Sequence, residues 1–374
     1  MSRVVVVGGG PAGAATAIAL ARAGRPPLLL ERDAAVSEKV CGEFLGADAA
    51  RLLAGLGIEL EALGAVPIRH AVLAAGRWQA EAALPFAAWG LPRATLDAAL
   101  LCRAREAGAE VRLGAAVASA QEAGAGWQLR LGSGEVVEAS RLVLATGKHD
   151  LRGLSRGSAG GALGLKLPLH GSLPATVALL SCRGGYAGLQ PRPGGGANLC
   201  AALDPRTPGV AAAARSAEAL MAHVARGSAL AESLLAGLRS ALGRPLAVAG
   251  VPYGFRHRGG GPFRVGDQAA VIPSFCGDGV AMALASGLAA AAAIDAGDPA
   301  ARHHACWSAA VAGGMRLAGL CAMLHRRAPR LLVGAVSIAP VLLTTAALQT
   351  RLGAMPSRHR CRALVADSTT SGRS

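Results

Sequence analysis

GGGPAG at residues 8–13 sets Gly8, Gly10 and Gly13 in a GxGxxG spacing, with Pro11 and Ala12 between them. The first glycine permits a tight turn and the second lets backbone approach a pyrophosphate. The third allows a helix to pack close to a strand. The N-terminus of that helix attracts phosphate charge. Arg3–Val7 reads as a strand buried on both faces, and Ala14–Ala23 as an apolar helix. A second strand, Pro27–Leu30, delivers Glu31 and Arg32. An acid about 20 residues past the glycines binds ribose hydroxyls. Together these features point to a dinucleotide site, without separating FAD from NAD.

Two later stretches repeat the theme. RLVLATG, Arg141–Gly147, is another buried strand closing on small residues. FRVGDQAA, Phe263–Ala270, delivers Gly266 and Asp267 at a strand end. An Asp there can hold a ribitol hydroxyl. A loop with Pro273 follows, and then Cys276–Gly277–Asp278–Gly279–Val280 opens an Ala-rich helix. Bare N–H groups at that helix start can face the N1/C2=O region of a reduced flavin.

The stretch EKVCGEFLG, Glu38–Gly46, poses a separate question, because Cys41 could be a redox thiol, a metal ligand or cofactor wall. None of the eight cysteines forms a CxxC pair or a Cys/His cluster at zinc spacing. In a Cys-x4-Cys frame the partner position of Cys41 is Gly46, so a local dithiol is excluded. A tight turn beside an isoalloxazine is the reading that remains. In it Gly42 brings the backbone close and Glu43 caps or orients. His149, His170 and Tyr186 are weak catalytic candidates, alongside Cys41.

These motifs resemble the FAD-dependent oxidoreductases of the aromatic-hydroxylase and geranylgeranyl-reductase superfamily. The resemblance covers about residues 1–300. It implies that Gly8, Gly10, Gly13 and Glu31 hold the ADP half of FAD. It also implies that Arg93, in PRATLDAALL, reaches the pyrophosphate and ribitol. Asp267 would hold ribitol, and Pro273 with 276–279 would line the isoalloxazine. More narrowly, EKVCGEFLG, ATGKHDLRG and SFCGDG are similar to a CGEFL subgroup that often accompanies type III polyketide synthases. The activity so implied is a monooxygenase of secondary metabolism. It would use NAD(P)H and a C4a-hydroperoxyflavin to hydroxylate an apolar phenolic or polyketide-type molecule. The alternatives are reduction of isoprenoid double bonds, and flavin binding without turnover. GKHD at 147–150 departs from the DG motif that serves NAD(P)H in hydroxylases. The Trp-x-Trp-x-Ile-Pro motif of flavin halogenases is absent. Where prenyl reductases carry Tyr-x-Trp-x-Phe-Pro, Tyr186 is kept and Gly188 replaces the Trp.

The fold class that positions these residues is α/β. A Rossmann-like FAD-binding domain (1–65, 91–154, 254–300) carries an inserted antiparallel-sheet substrate domain (66–90, 155–253). C-terminal helices (301–354) and a disordered tail (355–374) complete the chain. The net charge is +15, mostly from Arg, but the basic residues are scattered without interleaved aromatics. Nucleic-acid binding is therefore not expected. The chain opens directly into a strand, so a cytoplasmic protein with reduced thiols is expected. Residues 331–350 are uncharged and long enough to span a membrane. Pro340 argues instead for helices packed on the body or in peripheral membrane contact.

Overall fold

The computed structural model describes residues 3–157, 160–240 and 242–352. The tail expected to be disordered, and Cys361 with it, lies outside them.

Two sheets organise the chain. The first has five parallel strands in the spatial order Phe263–Arg264, Arg141–Leu144, Val4–Val7, Leu28–Leu30 and Glu110–Arg112. The β-branched run Val4–Val7 is buried along its whole length, as suits a central parallel strand covered on both faces. Helix Pro11–Arg22 follows it, with Pro at its first turn, where no N–H is required. Small residues let this helix lie against Gly279–Asp295: a Cβ on Gly287 would strike the Ala12 carbonyl oxygen, and Thr16 Oγ1 donates to Gly287 O at 3.2 Å. A three-stranded antiparallel sheet, Val117–Ala139, covers another part of this unit. It was not anticipated from the sequence, because its short strands carry no chemistry-bearing motif.

The second sheet has nine strands, drawn mainly from 66–90 and 162–251, with Phe44–Leu45 at one edge. Its pairings are antiparallel except between Thr176–Cys182 and Val66–Ala75. Period-two alternation gives each strand two faces. Leu165, Leu167, Leu169, Leu180 and Leu199 point to one side, where helices Ala217–Ala225 and Ala229–Ala236 complete a core. Gly164, Lys166, Gln190, Asn198 and Cys200 alternate with them.

Five helices end the described chain, from Gly279–Asp295 to Val341–Gln349. Pro329–Ile338 buries Val333 and Val336 against Leu73, Ala75 and Ala80 of the large sheet. A bend of 109° then leads into Val341–Gln349, here called the roof helix. No single helix among the described residues is long and apolar enough to cross a membrane.

Candidate functional site

The strand ends of the parallel sheet converge on one cavity of ≈ 830 Å³. Gly8 follows Val7, Glu31 follows Leu30, Gly147 lies just past Leu144, and Gly266 and Asp267 lie just past Arg264; all five line it. Ligands of open α/β sheets bind at these carboxyl ends. Gly8 has φ +108°, and a Cβ there would collide with the Ala145 backbone. Gly13 does not line the cavity. It packs the helix on the turn, since a Cβ would strike the Gly8 carbonyl oxygen. The Glu31 carboxylate accepts from Gly9 N at 2.6 Å and from Asp33 N at 3.1 Å, which fixes it at the cradle's edge. Pro11, Ala12 and Arg32 complete this end.

Arg93 enters from helix Arg93–Glu106. Its guanidinium pairs with Asp97 through two bonds, at 2.9 and 2.8 Å, and stands 3.4 Å from where a Gly10 Cβ would be. Asp97 holds it above its ordinary pKa against the cost of burial. Across the cavity, Lys148 Nζ reaches Asp267 Oδ2 at 3.2 Å, and that carboxylate raises the Lys148 pKa. Gly277, Gly279 and Val280 line the wall beside it, while Pro273 and Asp278 are buried behind. Gly277 has φ +74°, and Phe44 fills the space a Cβ would need. Asp278 is the N-cap residue of its helix but makes no capping hydrogen bond. Burial pushes its carboxyl up to about 6, opposed by Arg351 and Thr350.

The 38–43 segment is held differently from what the sequence suggested. Gly42 has no positive φ; that conformation falls on Glu43, at +62°. Glu43 does not face solvent, being 1% exposed, and it takes a free N–H at the start of helix Arg93–Glu106. Its carboxylate accepts from Arg93 N at 3.0 Å and pairs with Lys166 at 2.5 Å and with Arg192 at 3.0 Å. Lys166, fully buried, also pairs with Glu38, which Arg192 meets at 2.5 Å. Two acids and two bases thus clamp the segment to the large sheet. Burial pushes the Glu43 carboxyl up; in Glu38 the two cations outweigh burial and hold it below the ordinary range. Asn198 Nδ2 adds bonds to Cys41 O at 3.1 Å and Gly42 O at 2.9 Å. Cys41 Sγ accepts from Glu43 N at 3.4 Å, and both Cys41 and Gly42 line the cavity.

The far half of the cavity is apolar, walled by Ala71, Leu84, Phe86, Val177 and Leu179, and roofed by Leu343, Ala346 and Ala347. At the junction with the loop that carries Pro273 and Cys276, Ser274 Oγ bonds to Tyr253 Oη at 3.0 Å and to Tyr186 Oη at 2.8 Å. Tyr253 and Ser274 line the cavity, whereas Tyr186 sits behind them, edge-on to Phe275 and His325. Burial pushes the Tyr253 phenol up to about 12 and the Tyr186 phenol well above its ordinary value. His149 lies at the Glu31 end, its ring nitrogen 3.4 Å from Arg32. That places it away from the apolar half. His170 ends a strand, is exposed, and does not line the cavity.

Sequence reasoning missed Lys148, Lys166, Glu38, Arg192, Asn198, Tyr253 and Ser274. One signal was available. The chain has three lysines among 38 basic residues, Lys39, Lys148 and Lys166, and all three sit at or against this cavity.

The residues fit an FAD. A Cβ on Gly42 or Gly147, both lining the cavity, would meet no protein atom within 4 Å, so the backbone there is open to a close ligand. Residues 1–149 match the family described as FAD binding domain. A dialkyldecalin synthase of Streptomyces rugosporus is 33% identical over 155 residues, which cover 40% of this chain and 33% of that protein. The match thus spans a third of that relative's length. A flavin-dependent brominase superposes with a TM-score of 0.75 at 17% identity, covering 99% of each chain. A geranylgeranyl bacteriochlorophyll reductase-like protein of Thermoplasma acidophilum superposes at 0.68 with 19% identity, covering 98% of this chain and 96% of its own. At these identities the likeness concerns the fold. The chain carries an FAD-binding domain within the architecture of flavin-dependent enzymes.

Proposed function

We propose that the protein is an FAD-dependent oxidoreductase of apolar small molecules. In its finer form it is a monooxygenase placing one oxygen atom of O2 on an electron-rich phenolic or polyketide-type ring. One observation carries this reading: a single cavity joins the glycine cradle to an apolar chamber. When bound, FAD supplies two-electron exchange and, once reduced by NAD(P)H, activation of O2.

The chain supplies position and proton control. Glu31 would take the ribose hydroxyls, and Arg93 the pyrophosphate beside Gly10. Asp267, held by Lys148, would take a ribitol hydroxyl. The large sheet and the roof helix wall the chamber with apolar side chains, which would disfavour water there. Tyr253 holds its proton at neutral pH on an oxygen facing the cavity. Ser274 links that proton to Tyr186.

The test is NAD(P)H consumption with alkylresorcinols and pyrones under isotopically labelled O2. Substrate-stimulated turnover with label in the product is expected. Product formed equally well without O2 would sink the monooxygenase. The hydroxyl relay also suits a second reading, saturation of an isoprenoid double bond, which needs a proton delivered beside a hydride. Anaerobic reduction that fails in Tyr253→Phe would establish that alternative.

A further inference from the structure

The last two described helices have faces of opposite use. On the roof helix, Leu343, Ala346, Ala347 and Thr350 line the cavity at i, i+3, i+4, i+7 spacing. On the preceding helix, Val333 and Val336 are buried against the sheet. The outer faces are apolar as well. Leu331 and Ile338 stand seven residues apart, hence on one stripe, and are 76% and 88% exposed. Val341 and Leu348, again seven apart, are 62% and 52% exposed. Large aliphatic side chains so exposed and so aligned mark a contact surface.

The rim of this face is cationic. Arg326, Arg327 and Arg330 are exposed at the start of the pair. Arg330 lies against Gly76, in the hairpin tip where the Arg77 guanidinium stacks 5.3 Å over the half-exposed Trp78 ring. Residues 299–352 contain no Asp or Glu.

We infer that this helix pair docks on an anionic lipid surface. Its aliphatic stripe would enter the headgroup–acyl boundary, with the Arg rim on headgroup phosphates and Trp78 at the interface. Charge selects this occupant over a second copy of the chain, since self-association would press two Arg rims together, and Asp204, the carboxylate near Arg326, is already paired with Arg206. The 109° bend fits helices lying along a surface. That the bilayer also delivers an apolar substrate past the roof helix rests on the function proposed above.

The experiment is flotation of the full-length, FAD-loaded protein with phosphatidylcholine vesicles, with and without phosphatidylglycerol. Binding to the anionic vesicles, weakened by salt, is expected. Ile338→Asp/Val341→Asp should lower partition at least roughly tenfold, and Arg326→Glu/Arg327→Glu/Arg330→Glu roughly a hundredfold. Both variants change exposed positions, and retained flavin spectra and melting curves verify their folds. No binding to anionic vesicles at low salt overturns the inference. So does undiminished binding by the Asp variant, or a dimer in sedimentation that this variant dissolves. Vesicle binding is read without turnover, so its failure and the failure of the proposed chemistry are distinguishable.

Discussion

At the Glu31 end of the cavity the wall is backbone. Glycines at 8, 10 and 13 give the turn, the approach and the packing, and one carboxylate is fixed by two amides. Across the same cavity the 38–43 segment is held by side chains from a different sheet. Glu38, Glu43, Lys166 and Arg192 bring two charges of each sign into a buried site. The first wall depends on atoms that are absent, and a Cβ at Gly8 or Gly13 breaks it. The second depends on balance, and its integrity is lost when one charge is removed alone. The same cofactor would therefore be held by two mechanisms that fail differently.

The sharpest break is at the backbone end. Gly13→Val drives a side chain into the Gly8 carbonyl, and neither helix nor strand can retreat without displacing the parallel sheet. The expected outcome is near-complete loss of copurifying FAD, read from the flavin absorbance of the purified protein. A variant with full flavin would refute the close-approach account. At the charged wall, Lys166→Met leaves Glu43 buried with one cation fewer and should cost about 3–5 kcal/mol in urea unfolding. Lys166→Met with Glu43→Gln keeps the Glu38–Arg192 pair balanced, so it should cost clearly less than the sum of the two single changes. Additive losses would show that the four charges do not act as one clamp.

This difference also explains what could be read in advance. The cradle was legible because its chemistry is local: strand, glycines, helix and acid lie within about 30 residues and their spacing is the signal. Asp267 was reachable through its place at a strand end, and Arg93 only through the family resemblance of PRATLDAALL. The clamp was not, because Lys166 and Glu43 are 123 residues apart and meet only when the two sheets pack. Glu43 looked like a capping or orienting acid beside a flexible glycine; it does take the Arg93 N–H at a helix start, but the left-handed backbone falls on the acid itself. The ion pairs explain how such a conformation is held. The Tyr253–Ser274–Tyr186 relay was hidden likewise, with its three hydroxyls on separate segments.

A smaller effect separates charge balance from burial. Asp278 is 3% exposed, and its nearest cation is Arg351, with Thr350 and Asp48 also facing it. Its carboxyl is raised from the usual 3.8 to about 6. The folded state therefore binds more protons than the unfolded state between those values. Stability should fall as pH rises from about 4 through about 6, by on the order of 2–3 kcal/mol, and stay lowered above. Asp278→Asn should remove that segment of the curve, as measured by melting temperature against pH. An unchanged profile would mean that Arg351 offsets the burial in full.

The smallest effect belongs to Cys41. Its carbonyl and that of Gly42 are held by Asn198, and its sulfur accepts a long bond from Glu43 N and lies within reach of the Arg93 guanidinium. The position is fixed through backbone oxygens that any side chain would leave in place. Cys41→Ser keeps an acceptor at Glu43 N, so it should retain its flavin and lose under about 1 kcal/mol of stability. Asn198→Ala removes both bonds to the segment and should cost more, about 1–3 kcal/mol, while also loosening flavin. If instead Cys41→Ser held FAD and lost turnover, the thiol would be part of the chemistry. The wall would then be reactive as well as structural.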